Sequence, residues 1–175
     1  LLTHAQRVEE LARLQRDRAR LDASEARLLH AMHADPLPNI DGSPAMDKQW
    51  VREDVACVLR IAPQTAAGRL HAATELVTRL PAALTMLEGG QLSALHVRRL
   101  VEAVLPLPDA AVARVQNRVL KRAGQQSVAQ FAASVRRAVL AADPQWDAGD
   151  LVPQDPSGDP RGTRSGGTHR EGSES

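Results

Sequence analysis

The chain has 175 residues with 22 Lys and Arg against 21 Asp and Glu, a formal charge of +1, which is length for one domain with a tail. Ala (29), Leu (22) and Val (15) dominate an apolar content of 43%, with no Tyr and one Phe, a mix that favours helices over sheets. Cys57 is the single cysteine, which excludes an internal disulfide and a multi-thiolate zinc site, and no apolar run nears the ~20 residues that span a bilayer.

The chain therefore reads as soluble and cytoplasmic, with no membrane contact. It opens on Leu1 rather than Met, as expected of a trimmed chain, a non-standard start or a piece of something longer.

The expected fold is all-α, an irregular multi-helix bundle with a long N-terminal helix and no sheet. Residues 1–35 read as that helix: Thr3 to about Ala34 holds no Gly or Pro and sets Val8, Leu11, Leu14, Leu21, Leu28 and Met32 among Arg and Glu. Leu14, Leu21 and Leu28 repeat every seven residues without a sustained second apolar position, so packing on the remainder is expected rather than a coiled coil. Residues 36–46 form a Pro-rich linker that cannot continue a helix and would let residues 1–35 move independently.

Residues 47–142 read as a helical domain. Val51, Val55, Val58 and Leu59 share a face until Pro63, which opens a helix carrying Ala66, Ala67, Leu70, Ala73, Val77 and Leu80. Pro81 starts a short helix ended by Gly89-Gly90, and Ser93 is the expected N-cap of a helix with Val97, Leu100, Val101 and Val104 inward. Asp109 is the expected cap of a helix presenting Val112, Val115, Val119 and Ala123, which Gly124 would end in the left-handed conformation. Ser127 and Gln130 have capping-box spacing before Phe131, Val135, Ala138, Val139 and Ala142. Residues 143–175 hold 14 Gly, Pro or Ser and four apolar residues, and read as a disordered acidic tail.

No residues suggest a cofactor. His30 and His33 stand at i, i+3, with Asp35 nearby, but two ligands at a polar helix end do not make a metal site. Cys57, between Ala56 and Val58, reads as a buried, inert thiol, and Gly89-Gly90 has no phosphate-loop lysine after it.

The clearest feature is a charge segregation that the total hides. Residues 106–142 hold 6 basic groups and 1 acid, whereas 143–175 hold 3 and 7. Arg114, Arg118, Lys121 and Arg122 fall at i, i+4, i+7 and i+8, away from the Val112, Val115 and Val119 face, and Arg136 and Arg137 extend the stripe. Such a row is either a solvated outer face or a phosphate-binding surface for duplex DNA, one that the acidic tail could cover. A second nucleic-acid reading takes 81–88 and 93–105 as a helix-turn-helix whose base contacts would be His96 and Arg99, with Glu102 opposing phosphate on the same side.

The stretch from Glu53 to Asp143 resembles the domain of unknown function 222, the N-terminal part of actinobacterial thirteen-E-twelve repeat proteins, many of which end in an HNH endonuclease module. The residues that carry it are Val55-Ala56-Cys57-Val58-Leu59, Arg69-Leu70, Leu80-Pro81-Ala82-Ala83-Leu84, Gly89-Gly90-Gln91-Leu92-Ser93, His96-Val97-Arg98 and Val135-Arg136-Arg137-Ala138-Val139. The resemblance implies a helical domain associated with mobile DNA. The histidine, asparagine and CxxC pattern of an HNH module is not among these residues, so no catalytic residues carry over and the chain reads as non-enzymatic. Past Asp143 the sequence departs from the Arg-rich continuation of such proteins, as a truncated or frameshifted gene remnant would. The expected function is DNA binding, or positioning of a nuclease, through the basic face. The alternative is a helical interaction or oligomerisation module that pairs with a second copy through the N-terminal helix.

Overall fold

The computed structural model describes residues 2–34 and 49–142. The expected linker at 36–46 and acidic tail at 143–175 lie outside them. Among the described residues there are seven helices and no strand: α1 (His4–Ala34), α2 (Gln49–Leu59), α3 (Pro63–Arg79), α4 (Pro81–Glu88), α5 (Ala94–Val104), α6 (Asp109–Ala123) and α7 (Val128–Ala142).

Most boundaries follow local chemistry. Pro63 and Pro81 occupy the first turns of α3 and α4, where a missing N–H costs nothing. The Ser127 hydroxyl accepts from the Gln130 N–H at 3.3 Å while the Gln130 side chain accepts from the Ser127 N–H at 2.9 Å, closing the expected box at α7. Thr3 and Gln6 make the same reciprocal pair at α1. Two expectations fail. Asp109 is not a cap: Pro108 occupies that position, and the Asp109 carboxylate instead accepts from the Arg79 guanidinium at 2.7 Å. Gly124 is right-handed, with φ −67°, and the left-handed glycine is Gly90, with φ +71°.

The core is built mainly by α3 to α7, with α6 and α5 packed against α7. Phe131, Leu80, Leu87, Leu92 and Leu100 are its largest fully buried side chains. A second apolar cluster joins Leu29 of α1 to Val51 and Val55 of α2 and Ala66 and Leu70 of α3. In α2 only one side is covered, so Val58 stays 79% exposed and Cys57 is exposed too, contrary to both expectations.

The long N-terminal helix packs on the remainder, as expected, but with a different face: α1 lies along α3 and α4, with Ala19 and Ala23 in the main core. Arg27 reaches Glu88 at 2.6 Å and Arg69 reaches Glu25 at 3.1 Å across its margins. Its leucines face the other way, with Leu14 49%, Leu21 70% and Leu28 63% exposed. Alanines at i and i+4 admit a close neighbour, and interaxial distance shrinks with the side chains at the contact.

Gly90 marks the closest approach. A Cβ there would lie 2.8 Å from Arg16 Cβ and 3.0 Å from Arg16 Cα, so the backbone of α1 fills the space a side chain needs. Gly90→Ala combines that overlap with a positive φ, and is expected to destabilise by more than ~1 kcal/mol. Leu21→Gln is expected to change stability by less than ~0.5 kcal/mol. Urea unfolding midpoints of the two variants check both outcomes.

Candidate nucleic-acid interface

α6 and α7 are antiparallel neighbours in the chain that bury Val112, Val115, Val119, Phe131, Val135 and Val139 against the core. That burial turns Arg114, Arg118, Lys121, Arg122, Arg136 and Arg137 outward, and all six are exposed. None of them has an ion-pair partner among the described residues, although arginines 13, 20, 27, 69, 79, 98 and 99 all do. Their polar contacts are neutral: Arg114 donates to the Ala142 carbonyl at 3.3 Å, and Arg137 to the Ser134 hydroxyl at 3.2 Å. Lys121 and Arg122 also sit in the last turn of α6, where the helix dipole favours cations.

The pairing difference has a structural cause in Asp109, the only acid between 106 and 142. Arg79, at the end of α3, holds Glu75 at 2.6 Å, Asp109 at 2.7 Å and the Leu107 carbonyl. Glu75 first, and then Asp109, holds the Arg79 guanidinium above its usual range. The one carboxylate on these two helices is thus paired with Arg79 at the start of α6, and no ion pair joins it to the stripe among the described residues.

The helix-turn-helix residues are placed differently. α5 is sunk into the body, with Val97, Leu100, Val101, Ala103 and Val104 buried. His96 has both ring nitrogens committed: Nε2 lies 3.1 Å from the Gln126 carbonyl and Nδ1 2.8 Å from the Ser93 hydroxyl. A carbonyl can only accept, so Nε2 carries the proton and Nδ1 accepts from Ser93. The ring also packs edge-on against Phe131, with centroids 5.3 Å apart. His96 is a tie between α5 and the start of α7, which corrects the expectation of a base contact. Arg99 remains at the surface, but Glu102 binds it at 3.2 Å and Arg98 at 2.7 Å, so this face is largely neutralised.

Sequence reading missed Gln116. It is buried on the apolar face of α6, and its side-chain oxygen accepts from the Ala83 N–H at 3.1 Å, satisfying an orphan donor in the first turn of α4. The available signal was its place four residues after Val112 on the Val112–Val119 face. Among the described residues no three His, Cys, Asp or Glu side chains group as a metal site requires, and Asp35 lies outside them.

A family model, that of the domain of unknown function (DUF222), matches residues 8–164. The chain belongs to this family. The match extends on both sides of the Glu53–Asp143 stretch that carries the resemblance in the sequence, and so takes in most of α1 and residues 143–164. The family match therefore continues past Asp143, where the sequence reading placed a departure. Neither the comparison with curated proteins nor that with solved structures gives a match. No helix among the described residues is long and apolar enough to cross a membrane.

His96→Leu removes the donor to Gln126 and the acceptor for Ser93, and is expected to lower stability by about 1–3 kcal/mol. Arg118→Gln is expected to leave it within about 0.5 kcal/mol. Thermal unfolding of both variants separates the internal histidine from the free cation.

Proposed function

We propose that this member of the DUF222 family is a non-catalytic module that binds duplex DNA through the cationic face of α6 and α7. In longer, HNH-bearing relatives such a face would serve to position the nuclease on mobile DNA. The observation that carries this reading is the row of six exposed cations with no carboxylate partner among the described residues, whereas seven of the twelve other described arginines are paired. Cations without ion pairs give up no carboxylate partner on meeting phosphate, and each phosphate they neutralise releases counterions. The contacts are to the backbone, so affinity without strong sequence preference is expected.

Six phosphate contacts give a slope of about −5 for log affinity against log salt, and a loss of about 10³-fold between ~50 and ~200 mM salt. Replacing Arg118, Lys121 or Arg122 by Gln should lower affinity at low salt and reduce the slope by about 0.9 per residue. Fluorescence anisotropy with a labelled duplex across a salt series measures both. Absence of binding at low salt, in the full chain and in a chain ending at Ala142, overturns the reading.

The exposed Leu14, Leu21 and Leu28 favour a second reading, self-association of the domain through the outer face of α1. Removing α1 is a poor test because Ala19 and Ala23 belong to the core. Leu21→Glu leaves the fold intact and is expected to convert a dimer to a monomer in light scattering; a wild-type monomer at all concentrations removes this reading.

A further inference from the structure

α7 delivers the chain to the cationic stripe. Its last residue, Ala142, offers its carbonyl to Arg114, the first cation of the row, at 3.3 Å. The next 17 residues, 143–159, carry Asp143, Asp147, Asp150, Asp155 and Asp159 and no Lys or Arg. They follow six cations that have no ion-pair partner among the described residues. The family match includes this acidic run.

Reach and spacing agree with an intramolecular contact. Arg114 to Arg122 spans eight helical steps, about 12 Å along the axis, whereas 17 extended residues cover up to ~56 Å. The carboxylates recur every three to five residues, so several can meet the stripe together. Tethering places them there at an effective concentration in the millimolar range.

We propose that residues 143–159 lie along the α6–α7 stripe as an internal polyanion and compete with external polyanions for Arg114, Arg118, Lys121 and Arg122. The contact itself stands on charge and chain geometry; its inhibitory role rests on the DNA-binding reading above. The stripe's cations are exposed, so the contact is salt-sensitive and yields to a denser polyanion rather than sealing the face.

Lysine usage makes the contact directly readable, because the chain has two lysines, Lys48 and Lys121. A water-soluble carbodiimide activates a carboxylate, and an amine in contact with it forms an amide with net loss of one water. In the full chain at low salt, mass spectrometry is expected to find Lys121 joined to one or more of the five aspartates. That product should fall at least fivefold at ~0.5 M salt, where the Debye length is only a few ångströms, and vanish in the variant with all five replaced by Asn. A parallel reaction with glycinamide, which caps activated carboxylates, shows that all five react. Capped aspartates with no Lys121 product, or a product insensitive to salt, overturn the contact.

Duplex affinity of the same two proteins supplies the second readout. The five-Asn variant is expected to bind at least tenfold more tightly at low salt, with the gap closing as salt rises. Equal affinities alongside a salt-sensitive crosslink overturn the inhibitory role. If neither protein binds DNA while the crosslink forms, the DNA-binding reading falls and the internal contact stands.

Discussion

Arg79 joins two parts of the chain that lie 28 to 30 residues apart in sequence. Its guanidinium holds Glu75 on its own helix, the Leu107 carbonyl in the turn before α6, and the Asp109 carboxylate at the first residue of α6. Arg79 and Glu75 are largely shielded from water, at 18% and 14% side-chain exposure, so the pair is held more firmly than the surface pairs of α1. Two things depend on this clamp. It ties the start of α6 to the end of α3, and it partners the one carboxylate between 106 and 142, which itself stays 88% exposed.

The segregation of charge that results is not a property of the whole surface. On α1, Glu10, Arg13, Asp17 and Arg20 alternate and pair within the helix, and on α5 Glu102 serves both Arg98 and Arg99. Six like charges on α6 and α7 repel one another, a cost to the isolated domain that any polyanion relieves. This is why the proposed binding face lies on α6 and α7 rather than on the helix-turn-helix-like pair α4 and α5. α5 has too few exposed positions and too little net charge, and its histidine is used to hold α7.

Close approach of α1 to the end of α4 governs the other half of the architecture. Gly90 leaves room for the backbone at Arg16, and Ala19 and Ala23 leave room for α3 and α4. Larger side chains on that seam would hold α1 away from the core. Leu14, Leu21 and Leu28 are consequently left exposed on the outer face of α1.

The sequence by itself determined where the helices start and stop between 49 and 142, which faces of α3, α5, α6 and α7 are apolar, and where unlike charges are separated. These depend on steric and hydrogen-bonding rules that act within a few residues: proline at a first turn, Ser127 with Gln130, valines every three to four residues. The stripe was legible for the same reason, since Arg114 to Arg122 share one helix. Tertiary structure decided which face of α1 is inside, because a row of alanines outranks a row of leucines only when a neighbour comes close enough to need the space. It also decided that His96 bonds a carbonyl 30 residues away, that Asp109 serves Arg79 rather than its own helix, and that Gly90 rather than Gly124 turns left-handed. Each of those outcomes depends on a partner distant in sequence, and local pattern carries no information about which distant groups the fold will bring within bonding range.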